Sequence, residues 1–165
     1  MLKTKIAVFV SGGGTNFEAL INAQENGKIP HGEIVLMVSS SRTAYALKRA
    51  ENHGIKSVVC SKKELGSQES FEEEILKNLE ENDIQLIVLA GFMSILSKEF
   101  TKKYENRIIN IHPSLIPSFC GEGFYGLHVH EAALKKGVKV TGATVHIVNE
   151  IPDGGEIILQ KSVPV

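Results

Sequence analysis

Ile6-Ala7-Val8-Phe9-Val10-Ser11-Gly12-Gly13-Gly14-Thr15-Asn16 joins an unbroken apolar run to a glycine-rich turn, and a segment of helical period follows to about Gln24. An apolar run without alternation reads as a strand covered on both faces, which is the condition of a parallel strand in an α/β protein. The same text recurs outward from it. Ile34-Ser39, Ser57-Cys60 and Leu86-Leu89 read as strands, and the segments near Ala44-His53 and Glu69-Glu81 read as helices between them. This is the rhythm of parallel strands joined by crossover helices. In the helix near Glu69-Glu81, Phe71, Ile75 and Leu79 recur every fourth residue, so Glu72-Glu73-Glu74 is expected on its solvated face.

Beyond Leu89 the pattern changes. A short helix near Ser97-Tyr104 leads to a strand Ile108-Ile111, a loop rich in Pro, Ser and Gly from Pro113 to Gly126, and a helix Val129-Lys136. Val138-Val148 and Ile157-Val163 are β-rich runs on either side of Glu150-Ile151-Pro152-Asp153-Gly154-Gly155, whose glycines supply the positive φ of a sharp reversal. The expected fold class is α/β: a Rossmann-like, mostly parallel twisted sheet with helices on both faces and an antiparallel carboxyl-terminal strand pair. No repeat or linker divides the 165 residues, so one domain over 1–165 is expected.

Composition narrows the function. Hydrophobic residues make up 42% and charged residues 22%, with a formal net charge of -1 and no Lys/Arg stripe, so nucleic acid is not an expected partner. The apolar runs fall far short of a membrane span, and the segment after Lys5 is too short for a signal peptide, so a cytoplasmic location without membrane contact is expected. Cys60 and Cys120 have no CxxC spacing and suggest neither a disulfide framework nor a zinc site. A homodimer is left open.

Three elements carry chemistry. In Ser11-Gly12-Gly13-Gly14-Thr15-Asn16 the glycines expose backbone N–H groups, and Thr15 or Asn16 is available to cap a helix whose amino terminus favours an anion. A phosphate suits it, although a tight turn without ligand has the same sequence. Phe17 breaks GxGxxG and no GK[ST] follows, which argues against a dinucleotide or a triphosphate. In Asn110-Ile111-His112-Pro113-Ser114, strand alternation puts the amide and the imidazole on one side at the carboxyl edge of the sheet. An amide that donates to a developing oxyanion and an imidazole that moves protons suit acyl transfer, while a strand-end cap is the plain alternative. Asp153 in its glycine turn could steady an imidazolium; Thr144 and His146 share a face of the preceding strand, with His146 expected as a hydrogen-bonded, half-buried residue. Many His donors lie between His112 and Asp153, but His128 and His130 are two apart and HExxH is absent, so no metal is expected.

Ser11 to Asn16, Leu89-Ala90-Gly91-Phe92-Met93, Asn110 to Pro117, and Gly142-Ala143-Thr144-Val145-His146 followed by Asp153-Gly154-Gly155 together resemble the folate-dependent formyltransferase family. The resemblance runs over essentially the whole chain. The early glycine turn is similar to that of the phosphoribosylglycinamide formyltransferase branch, of purine biosynthesis, rather than to a deformylase with a preceding regulatory domain. The resemblance implies Asn110, His112 and Asp153 as catalytic residues, and Gly13, Gly14, Thr15 and Asn16 as holders of the phosphate of glycinamide ribonucleotide. It assigns Met93, Ser94, Ile95, Leu96, Val148, Asn149 and Glu150 to the pocket for the co-substrate 10-formyltetrahydrofolate. A related transferase or deformylase with another acceptor, and a catalytically impaired phosphate-binding module, are the alternatives. Two departures from the family pattern stand out: Cys120 to Tyr125 looks like an insertion whose Gly-Glu-Gly suggests a mobile lid or a tolerated loop, and relatives continue with a further helix after the position of Val165, where whether the chain natively ends is left open.

Overall fold

A computed structural model describes residues 2–165 as two compact units, one running to Leu96 and the other from Ser97 to Val165. In the first, β1 (Thr4–Val10) pairs in parallel with both β2 (Gly32–Ser39) and β4 (Leu86–Leu89), and β3 (Lys56–Val59) pairs in parallel with β2. The crossovers carry α1 (Thr15–Glu25), α2 (Ala46–Asn52), the single turn α3 (Lys62–Leu65) and α4 (Gln68–Glu81).

Alternation along β1 explains why helices cover both faces. Ile6, Val8 and Val10 join Phe17 and Ile21 of α1 and Ala46 and Ala50 of α2 in one buried cluster. Phe9 points the other way, its ring 5.2 Å from Phe92, which in turn stacks on Phe71 of α4 at 6.5 Å. Full burial of a side chain such as Phe17 contributes about 1.5–3 kcal/mol, so the apolar text of β1 is an energetic demand for two layers of helix.

Phe71, Ile75 and Leu79 of α4 are fully buried as their spacing predicts. One expectation fails beside them: Glu72 is buried, its carboxylate accepting a 2.6 Å hydrogen bond from Gln68 one turn earlier. A hydrogen-bonded carboxylate can leave water where a lone one would not. Cys60 is buried as well, and burial pushes its thiol up to about 11, consistent with a small apolar residue.

The second unit contains α5 (Lys98–Lys103), β5 (Ile108–His112), α6 (Leu127–Lys136), β6 (Val140–Ile147) and β7 (Ile157–Pro164). Ser97 caps α5 by accepting from the Phe100 amide at 3.1 Å. Strands β5, β6 and β7 run antiparallel, with Asn110 opposite His146 and His112 opposite Thr144. Parallel strands in the first unit and antiparallel carboxyl-terminal strands in the second are those of the expected α/β fold class. Among the described residues no helix is long and apolar enough to cross a membrane.

Candidate active site

The glycine turn follows β1 directly. Gly14 adopts φ +71 and is itself the residue that caps α1, and no side chain caps that helix. Thr15 is the first helical residue, so the expectation that Thr15 or Asn16 would cap is corrected: the left-handed glycine takes that place and no side chain competes with a ligand for the first-turn amides. A Cβ at Gly14 would stand 2.7 Å from Ala46 Cβ, whereas Gly12 and Gly13 face open space. Ser11 closes the base of the turn. Its amide donates to the Gly91 carbonyl at 3.1 Å, and its hydroxyl accepts from the Met93 amide at 2.8 Å and meets Ser40 Oγ at 2.6 Å.

Of the residues assigned to the folate, Met93 and Ile95 are exposed, Leu96 is buried, and the Ile95 carbonyl accepts from Gln68. Val148, Asn149 and Glu150, in the second unit, line a hollow of about 420 Å³ together with Thr101, Lys102 and Lys98. The Lys98 ammonium lies 3.2 Å from Glu150, and Asn149 accepts from the Ile151 amide at 2.9 Å, which stiffens the start of the loop.

That loop returns with Asp153 at φ +53, a left-handed conformation that Asp tolerates better than most residues. Gly154 donates to the Ile151 carbonyl at 2.9 Å, and a Cβ at Gly155 would collide with the Ile147 carbonyl. The glycines are required by close approach, and the turn delivers the Asp153 carboxylate between two buried rings. Its Oδ2 lies 3.4 Å from His112 Nδ1 and its Oδ1 lies 3.5 Å from His146 Nε2, while the Gly121 amide donates to Oδ2 at 2.9 Å. The rings are 4% and 1% exposed, which keeps water from screening the charges. Burial pushes the Asp153 carboxyl up, but hydrogen bonding from His146 and the Gly121 amide and the charge of both imidazoles outweigh it and hold the group below the ordinary carboxylate value.

Hydrogen-bond capacity assigns the protons. The Phe119 carbonyl lies 2.8 Å from His112 Nε2 and the Asp153 carboxylate 3.4 Å from its Nδ1, so both ring nitrogens of His112 face groups that only accept. The Ile147 carbonyl, 2.8 Å from His146 Nδ1, fixes a proton there. His146 Nε2 is then the adaptable end: neutral, it accepts from Asn110 Nδ2 at 3.1 Å; charged, it donates to Asp153. The structure therefore brings Asn110, His112 and Asp153 into one cluster and adds His146 as the link between amide and carboxylate. His146 is fully rather than half buried, and its place follows from standing opposite Asn110 across the β5–β6 pair.

The segment between β5 and α6 participates too. Ser114 donates to the carbonyls of Ser118 and Phe119, and Thr144, also buried, donates to the Ser114 carbonyl at 2.7 Å and accepts from the Ile116 amide at 3.1 Å. In the Cys120 to Tyr125 segment the Gly121 amide touches Asp153, a contact no local signal announces. His128 pairs with Glu131 at the surface, and among the described residues no group of three or more His, Cys, Asp or Glu side chains is placed to hold a metal ion.

An amide donor, two imidazoles and an ionised carboxylate in a dry corner of an α/β fold form the kit of an acyl-transfer enzyme that stabilises an oxyanion without a covalent nucleophile. Comparison with known proteins agrees. The family model described as formyl transferase matches residues 4–165, and the chain belongs to that family. The chain is 40% identical to a phosphoribosylglycinamide formyltransferase of Haemophilus influenzae over 98% of its own length and 73% of the relative's. It is 48% identical to the trifunctional purine biosynthetic protein adenosine-3 of Gallus gallus over 99% of its own length, but spans only 16% of that protein. A crystal structure of phosphoribosylglycinamide formyltransferase from Bacillus halodurans superimposes with a TM-score of 0.89 at 40% identity, covering 98% of this chain and 80% of the other.

Proposed function

We propose that this chain transfers the formyl group of 10-formyltetrahydrofolate to the primary amine of glycinamide ribonucleotide, the activity named for its relatives. The observation that carries the reading is the Asp153 carboxylate between the imidazoles of His112 and His146, with Asn110 on the second ring. The amine nitrogen attacks the formyl carbon, forming a C–N bond while the carbonyl π pair moves to oxygen. Asn110 has a second amide hydrogen beyond the one directed at His146, and it is the donor available to that oxyanion. The His112 imidazolium, balanced by Asp153, lowers the energy of the same negative charge. Collapse breaks the bond from carbon to the folate nitrogen, which leaves with the proton given up by the attacking amine, carried across by a water.

Gly13, Gly14, Thr15 and Asn16 would hold the ribonucleotide phosphate through backbone amides, supported by an α1 amino terminus that no side chain caps and by its left-handed glycine. Met93, Ser94, Ile95, Leu96, Val148, Asn149 and Glu150 would serve the folate; family likeness supports that part. The test is a transfer assay with glycinamide ribonucleotide and 10-formyltetrahydrofolate. Formylated ribonucleotide formed in step with folate release is expected. Formate released without acceptor would overturn the reading in favour of a deformylase, and saturable ribonucleotide binding without turnover would leave only a binding module.

A further inference from the structure

We propose that Arg49 of α2 is a positioning residue for the anion-binding turn: it fixes the direction of the Gly13–Gly14 peptide and thereby the aim of its amide. The proposal rests on the reading that this turn holds the ribonucleotide phosphate. Gly12 and Gly13 carry no side chain and have nothing within 4 Å of where a Cβ would be, so packing does not orient their peptides. Hydrogen bonds from α2 do. The Ala46 amide donates to the Gly12 carbonyl at 3.2 Å, and Arg49 Nε donates to the Gly13 carbonyl at 2.8 Å. A trans peptide holds its C=O and N–H on opposite sides, so drawing both carbonyls toward α2 turns the N–H groups of Gly13 and Gly14 away from it together.

Arg49 is itself held from three directions. Its Nη1 lies 3.1 Å from Glu18 Oε2 in the first turn of α1, and its guanidinium sits 5.1 Å from the centre of the Tyr45 ring. Glu18 is in turn 3.1 Å from His53 Nε2, whose Nδ1 lies 2.9 Å from Glu25. Arg49, Glu18 and His53 are only 24%, 28% and 21% exposed, so the chain of contacts is more than a loose surface pair. Glu18 balances the Arg49 charge, so the contribution to anion binding is one of geometry more than attraction. The planar fork reaches the turn and α1 at once; a lysine has one nitrogen for two acceptors and keeps only part of the arrangement.

The experiment compares calorimetric affinities for glycinamide ribonucleotide and for the same compound without its phosphate, in the full chain and in Arg49→Met and Arg49→Lys, alongside KM and kcat. Arg49→Met is expected to weaken the ribonucleotide on the order of tenfold, with the phosphate-free compound within about twofold, the loss appearing in KM and Arg49→Lys falling between. A parent protein that prefers the ribonucleotide, with Arg49→Met retaining the full preference, would overturn the role of Arg49 and leave the phosphate reading intact. A parent indifferent to the phosphate would overturn both. If Arg49→Met fails to fold, Arg49→Lys decides alone: a preference equal to the parent's overturns the proposal and a reduced one supports it.

Discussion

The glycine turn after β1 and the cluster around Asp153 present charge complementarity by opposite means. The turn offers backbone amides and no titratable group, and its geometry depends on one left-handed glycine and on hydrogen bonds from α2. The cluster consists of side chains from two neighbouring strands and a turn, and its geometry depends on strand register and on proton placement. The first is sensitive to backbone change and carries no titratable group of its own. The second tolerates the backbone it has and is sensitive to a single charge.

Substitutions chosen on each side can break that contrast. The largest effect is expected from Asp153→Asn. Asn is at ease at φ +53, so the change removes charge with little strain, and steady-state turnover should fall on the order of 10²-fold or more while calorimetry finds ribonucleotide affinity within about twofold of the parent. Near-parental turnover would remove Asp153 from the chemistry. Next in size is Gly14→Ala, which forces a Cβ into a left-handed residue and against Ala46; a stability loss of about 1–3 kcal/mol in denaturant melts should come with weakened ribonucleotide binding. Unaltered stability and affinity would show that the turn is not under the backbone constraint described.

The smallest effect sharpens the comparison through pH. Hydrogen bonds to Glu25 and then Glu18 hold His53 above its ordinary value of 6.5, and His53 holds Glu18 below its ordinary 4.5. The raised His53 contributes stability fully below 6.5, lost as pH rises through its folded value. The lowered Glu18 contributes above 4.5, lost as pH falls through its own. The melting temperatures of the parent and His53→Gln should therefore differ most between those values and converge above neutrality. A gap that does not change with pH would show that packing, not charge, sets it.

What the sequence made legible follows the same division. Continuous apolar runs and the four-residue spacing of Phe71, Ile75 and Leu79 announce the parallel strands and their helices, because burial on two faces and on one leave different periods. The glycine turn is readable because glycine at φ +71 has few substitutes. The four-residue α3 has too little text to show a period, and Glu72 is buried by a partner one turn away that a charge run conceals. Asn110, His112 and Asp153 could be nominated as chemically apt, but the place of His146 needs the β5–β6 register, which neither strand states alone. The Gly121 contact depends on how a loop folds back and has no local signature.

The Asp153-Gly154 pair has one further consequence. In a flexible chain, Asp followed by Gly ages: the glycine nitrogen attacks the side-chain carboxyl, closes a succinimide and reopens largely as isoaspartate. Here the glycine N–H is engaged by Ile151, and the carboxylate is ionised and tethered by Gly121 and the imidazoles, so neither partner is free for ring closure. The fold that uses this carboxylate also preserves it. Peptide mapping after prolonged incubation should find isoaspartate at position 153 accumulating in urea-unfolded chains and scarce in native ones.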